Sequence, residues 1–154
     1  ASPDAGARIL DYEEMVAAAA AEFGRSAGPD LELFWDGGCP LCRREIRYYK
    51  SLDREGRVRW TDVDASPEAL APHGISIEQA MARIHAAQSD GTLLSGVPAF
   101  LAVWDRLPYW RALPPLLRAA PGAIPAAEVA YSAFARVRLR VTGRGVGGGS
   151  ACAP

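Results

Sequence analysis

Cys39-Pro40-Leu41-Cys42 places two thiols three residues apart, and three residues before the first of them stands a carboxylate, Asp36. A cysteine thiolate is the nucleophile of thiol–disulfide exchange, and a second thiol one helical turn away can attack the mixed disulfide the first one forms. On that reading Cys39 attacks and Cys42 resolves. Two cysteines at this spacing are also half of a zinc site. The remaining candidates, Cys152, His73 and His85, stand in no paired ligand spacing. A purely structural role is the third alternative. Asp36 either caps the turn or helix start with its carboxylate or accepts the proton that Cys42 must lose.

The flanking residues supply the elements that would hold such a pair. Leu31, Leu33 and Trp35 alternate with Glu32 and Phe34, which predicts a short, largely buried strand. Gly37 and Gly38 allow a sharp change of direction, and Pro40 suits the first position of a helix. The helix would carry apolar stripes through Leu41, Tyr48, Leu52 and through Cys42, Ile46, Tyr49, with Gly56 as its stop. Cys39 then sits at a helix N-terminus, where unpaired N–H groups and the dipole favour a thiolate. Arg43 and Arg44 either lower the cysteine pKa electrostatically or face water. Pro40 and Leu41, between the sulfurs, help set the redox poise.

The segment from Asp36 to Ile46, with Trp35 before it, resembles the signature of the DCC family of thiol-disulfide oxidoreductases, also called DUF393: an aromatic residue, then Asp-Gly-x-Cys-x-x-Cys. The resemblance extends through Trp60-Thr61-Asp62, residues 91–104, Leu107-Pro108 and residues 131–136, covering about 31–143. It implies a thioredoxin-like α/β fold and a dithiol activity, and it favours a direct role for Asp36 beside the cysteines with capping still open; no bound cofactor or metal is expected. Trp35, Gly37, Gly38, Pro40, Leu41 and Arg43 shape the site on this view. Thioredoxins carry a cis-proline facing their cysteines. Val97-Pro98 is no match for it, because it follows the hairpin rather than preceding it. The equivalent place falls near Ala80-Met81-Ala82, which holds no proline.

A chain of 154 residues, 49% hydrophobic, accommodates one domain with a real core. A net charge of −1 argues against nucleic acid or a membrane surface as the main partner. No apolar run reaches the length of a membrane span, and the first residues lack the basic-then-apolar pattern of a signal peptide. Three cysteines do not make a disulfide-stapled scaffold, so a cytoplasmic setting is expected. The partners expected are a protein or small-molecule disulfide substrate and a thiol electron donor.

Along the chain, residues 1–29 read as an accessory helix and linker, with Asp11 and Glu14 in capping-box spacing and a stripe through Tyr12, Met15, Val16, Ala19 and Phe23. Residues 30–142 form the domain. After the dithiol helix, 58–63 predicts a second strand parallel to the first. Ser76 and Gln79 open a short helix through about Met81, and His73 lies in the loop before it. Residues 83–95 read as a hairpin turning at Gly91, with His85 on the sheet surface. Phe100, Leu101, Trp104 and Leu107 have helical spacing behind Pro98. Short helical turns through 108–125 and a final helix over 126–141 follow, with Arg136, Arg138, Arg140 and Arg144 gathered at its C-terminal end to meet the dipole. Residues 143–154 are a glycine-rich tail containing Cys152. The predicted order is β-α-β-α-β-β-α around a mixed sheet, with additional C-terminal helices. The alternative function is a non-catalytic protein-binding or metal-binding module using the tryptophan- and proline-rich C-terminal surface.

Overall fold

The structure is a computed structural model and describes residues 28–143. The expected N-terminal helix, and the glycine-rich tail with Cys152, lie outside the described residues. In order, the elements are β1 (Leu31–Trp35), α1 (Pro40–Leu52), β2 (Val58–Asp62), a 3-10 segment (Pro67–His73), α2 (Ile77–Ala82), β3 (His85–Gln88), β4 (Leu93–Ser95), α3 (Val97–Trp104), α4 (Leu113–Ala119) and α5 (Ala123–Thr142). The four strands form one sheet in the order β2-β1-β3-β4. β1 runs parallel to β2, with Leu31 opposite Val58 and Trp35 opposite Asp62. β3 is antiparallel to β1, and β4 to β3. This mixed sheet with its β-α-β-α-β-β-α order is a thioredoxin-like fold, as expected.

Alternation along β1 decides the two faces. Leu31 and Leu33 enter a cluster with Ile46 and Tyr49 of α1 and with Ala99, Ala102, Val103 and Leu107 around α3. Phe34 points the other way, into a smaller cluster with Val63, Leu70, Ile75, Ala80 and Ala87. Helices therefore cover both faces of the sheet, which explains why Phe34 is as deeply buried as Leu31 and Leu33. The capping box at Ser76 and Gln79 is present in both directions. Pro98 lies in the first turn of α3, where no helical donor is lost.

Several boundaries differ from those the sequence suggests. α1 stops at Leu52, before Gly56, because Asp53 takes over. The Asp53 carboxylate accepts Arg57 N–H at 2.9 Å, Val58 N–H at 3.1 Å and Trp60 Nε1–H at 3.2 Å, which ties the end of α1 to the start of β2. The first strand of the hairpin begins at His85, since Arg83 and Ile84 are engaged elsewhere. His73 is not simply a loop residue: its ring lies 5.0 Å from Phe34, and Nε2 is 3.9 Å from the Glu32 carboxylate. Trp104 and Trp110 stack at 5.1 Å against the larger cluster, while Tyr109 and Leu116 remain exposed.

The final helix, α5, departs most. It starts three residues earlier than expected and packs through polar side chains. Glu128 pairs with Arg83 and accepts Val97 N–H at 2.9 Å. Ser132 Oγ accepts from Arg83 Nη1 at 3.1 Å, and Tyr131 Oη accepts Ile84 N–H at 2.8 Å. Val129, Val137 and Val141 face outward and are exposed. An apolar stripe pointing away from the protein gives the wrong inward face when hydrophobicity alone is used to orient the helix.

Candidate active site

β1 delivers the chain to the site and ends at Trp35. The next residue, Asp36, is 3% exposed, and its Oδ1 accepts Gly38 N–H at 3.0 Å while its carbonyl accepts Cys39 N–H at 3.2 Å. The carboxylate therefore caps the turn, one of the two roles the sequence allowed. Gly37 donates its N–H to Asp62 Oδ1 at 2.9 Å. Neither Gly37 nor Gly38 has a positive φ. Gly37 is needed for closeness instead, because a Cβ there would overlap the Asp62 carboxylate. Two carboxylates, Asp36 before the turn and Asp62 from the neighbouring strand, thus fix the peptide N–H groups that lead into Cys39.

Cys39 is the N-cap of α1, with Pro40 as its first residue, and its carbonyl accepts the first helical bond from Arg43 at 2.9 Å. Its side chain is fully covered, whereas Cys42 is partly exposed. Burial is the largest influence on the Cys39 thiol and pushes its pKa up. The Cys42 N–H, the Cys42 thiol, the charge of Arg138 and the Leu41 N–H together outweigh it and leave Cys39 below the ordinary thiol value. Burial also dominates at Cys42, and sharing its proton with Cys39 adds to it. Even with Arg138 opposing, Cys42 is pushed up to about 12. The two sulfurs are thus tuned apart, Cys39 downward and Cys42 upward.

Arg138 comes from α5, on the far side of the chain in sequence. It is 9% exposed, and Nη1 donates to Cys42 Sγ at 2.9 Å while Nη2 donates to the Met81 carbonyl at 2.7 Å. The sequence placed Arg138 with Arg136 and Arg140 as a partner for the helix dipole. That assignment is corrected for Arg138, which turns inward because its helix docks by a polar face. Arg43 and Arg44, by contrast, are exposed. Arg43 lines a separate hollow with Trp35, Ile46, Arg47 and Lys50.

The remaining predicted residues fall around the pair. Leu41 is about half exposed beside the sulfurs, and Lys50 Nζ lies 5.1 Å from the Trp35 ring. A hollow of about 40 Å³ lies behind Cys42, lined by Trp35, Asp36, Glu45, Tyr131, Phe134 and Arg138 among others. The Trp35 Nε1–H is buried and has no partner among the described residues. His85 is remote in role: Nδ1 contacts the Arg83 carbonyl at 2.9 Å. Among the described residues no group of three or more His, Cys, Asp or Glu side chains could hold a metal. Among them also, no helix is long and apolar enough to cross a membrane.

Sequence reasoning missed Asp62, Tyr131 and the role of Arg138. A trace of the first was available in Trp60-Thr61-Asp62. Nothing local marks Arg138, since it is one of several arginines in its helix.

Comparison with known proteins agrees with this geometry. An uncharacterized chloroplastic protein of Arabidopsis thaliana is 33% identical over 120 residues, covering 74% of this chain and 53% of its own length. The chain thus spans about half the length of that curated relative. No solved structure matches the chain. The pattern that defines the DCC1-like thiol-disulfide oxidoreductases matches residues 33–144, from the middle of β1 to just past the end of α5 and so including both cysteines and Arg138. With the dithiol at a helix N-terminus of a thioredoxin-like fold, the chain belongs to the DCC1-like thiol-disulfide oxidoreductase family.

Proposed function

We propose that the protein is an enzyme of thiol–disulfide exchange in which Cys39 attacks and Cys42 resolves. The Cys39 thiolate attacks one sulfur of a substrate disulfide. A Cys39–substrate disulfide forms, and the other substrate sulfur leaves as a thiolate that takes a proton. Cys42 then loses its proton, attacks Cys39 Sγ and releases the second substrate sulfur, which is protonated in turn. The substrate gains two electrons and the protein ends as the Cys39–Cys42 disulfide. A thiol donor returns the electrons by the reverse exchange. Because Cys39 is fully covered, the first attack requires a local opening that admits the substrate sulfur.

The observation that carries this reading is the placement of the two sulfurs: Cys39 is the N-cap of α1, and Cys42 lies one turn on against Arg138. The directions of their tuning, Cys39 down and Cys42 up, agree with a nucleophile and a proton holder. Asp36, buried at the hollow behind Cys42, is the proposed acceptor of the resolving proton, through a water that the hollow has room for. The substrate is a protein or small-molecule disulfide, and a cytoplasmic thiol pool would keep the dithiol reduced. No nucleic acid, membrane or resident cofactor enters the reaction.

Cys42→Ser in a Cys152→Ser background tests the order of attack. It is expected to accumulate mixed disulfides at Cys39 after exposure to glutathione disulfide, seen by intact mass and peptide mapping. Mixed disulfides forming equally well on a Cys39→Ser variant, at Cys42, would reverse the assignment.

A further inference from the structure

We propose that Arg138 is a catalytic residue of the resolving step, stabilising the Cys42 thiolate as it attacks Cys39. The inference rests on the dithiol reading above and adds a group that the Cys-x-x-Cys motif does not contain.

The geometry carries it. Arg138 Nη1 touches Cys42 Sγ at 2.9 Å, on the sulfur that must become anionic in the second step. Its other donor is held by the Met81 carbonyl at 2.7 Å, so the guanidinium is aimed before the charge develops. A donor fixed in advance on developing charge, itself buried as Arg138 is, is the arrangement that lowers a barrier. The helix that carries Arg138 is itself locked by Glu128, Tyr131 and Ser132 to Arg83, Ile84 and Val97. Arginine suits the task because it keeps its charge at any working pH and its planar fork serves two acceptors at once.

The chemistry balances without another reagent. In the mixed disulfide Cys39 no longer carries negative charge, and Cys42 holds the last thiol proton. As that proton leaves, a negative charge appears at Cys42 Sγ. The charge passes through the new Cys39–Cys42 bond to the departing substrate sulfur, which takes up a proton. Arg138 gains or loses none; it only meets the transient charge. The charged or titratable groups around Cys42 are Cys39 at the N-cap of α1, Glu45 on α1, Asp36 from the turn after β1, and Tyr131 and Arg138 on α5. Arg138 is the cation among them. The same residue occupies the neighbourhood of Met81, where thioredoxin-like chains would place a proline and this one does not.

The experiment uses the full chain with Cys152→Ser and the aromatic disulfide 5,5′-dithiobis(2-nitrobenzoate), read by stopped-flow absorbance. One thionitrobenzoate is released when Cys39 attacks and a second when Cys42 resolves. In Arg138→Met the second release is expected to slow by about 10- to 100-fold, the range for losing a hydrogen bond to a charged group, with its pH midpoint moved upward. The first release is expected to change by only a few fold. Arg138→Lys, which keeps the charge but not the fork, is expected to recover part of the second rate. Arg138→Gln, which keeps donors but not the charge, is expected to recover less. These two read the step if the methionine variant does not fold. A second release with wild-type rate and pH midpoint in every folded variant overturns the proposal. If the wild-type protein itself forms no Cys39–Cys42 disulfide by mass, the dithiol reading fails as well. A wild-type disulfide closing no faster than in the variants removes only Arg138.

Discussion

Alkylation of the reduced protein sets two properties of the site against each other. Cys39 is fully covered and Cys42 is partly exposed, so access alone favours labelling of Cys42. Electrostatics favour Cys39. Its thiol lies below the ordinary value of 9.0, whereas Cys42 is pushed up to about 12. Below both values, each unit of separation is about tenfold in thiolate population in favour of Cys39. The more basic thiolate is the better nucleophile, with a Brønsted slope of about 0.4–0.5, which returns about 2.5- to 3-fold per unit to Cys42. A net preference of about 3- to 4-fold for Cys39 per unit of separation survives, to be reduced by whatever its cover costs. The assay is iodoacetamide labelling of the Cys152→Ser protein from pH 5 to 10, quenched at intervals and mapped by mass. Cys39 is expected to take the first label, with a rate that rises with pH and levels off below the ordinary thiol value. First labelling at Cys42, with the pH profile of an unperturbed thiol, would refute the argument that the helix amides and the Cys42 thiol, with a smaller part from Arg138, bring Cys39 below the ordinary thiol value.

Two substitutions probe the turn before the dithiol. Gly37→Ala forces a Cβ into the Asp62 carboxylate and disrupts the Gly37 N–H bond to it. A loss of about 1–3 kcal/mol in urea unfolding is expected, the cost of unmaking a charged hydrogen bond, together with slower disulfide closure. Wild-type stability would show that the turn relaxes freely. Asp36→Asn retains an oxygen to accept Gly38 N–H but loses the ability to take a proton. Stability within about 1 kcal/mol of wild type, with a slower resolving step, is expected. If closure is unaffected while stability falls, Asp36 only caps the turn.

Much of the fold was legible because its signals are local. The alternation in β1, Pro40 after Cys39, the capping box at Ser76 and Gln79, and the glycine turn at Gly91 each describe a few neighbouring residues, and each has its counterpart in the structure. The dithiol was legible for the same reason. Two features were not. The end of α1 depends on Asp53 reaching forward to Arg57, Val58 and Trp60, a side chain acting where glycine was the conventional stop. The orientation of α5 depends on partners 31 to 96 residues away, through Glu128 to Val97 and Arg138 to Cys42. Its inward face is held mainly by polar contacts, with Ala135 buried among them, while Val129, Val137 and Val141 point outward. Arg138 was visible as a charge but not as a neighbour of the sulfurs.

The proposed function requires that Cys39 and Cys42 interconvert reversibly between dithiol and disulfide. Its most direct test is the reduction potential of the pair, measured by equilibrating the Cys152→Ser protein with reduced and oxidised glutathione and counting free thiols by mass. A single two-electron transition is expected, and a midpoint between about −270 and −200 mV would place the protein with thioredoxin- and glutaredoxin-like reductants. A midpoint near about −120 mV would keep the dithiol chemistry but make the protein an oxidant and contradict the proposed reducing direction. Failure to form the Cys39–Cys42 disulfide at any poise would contradict the claim itself.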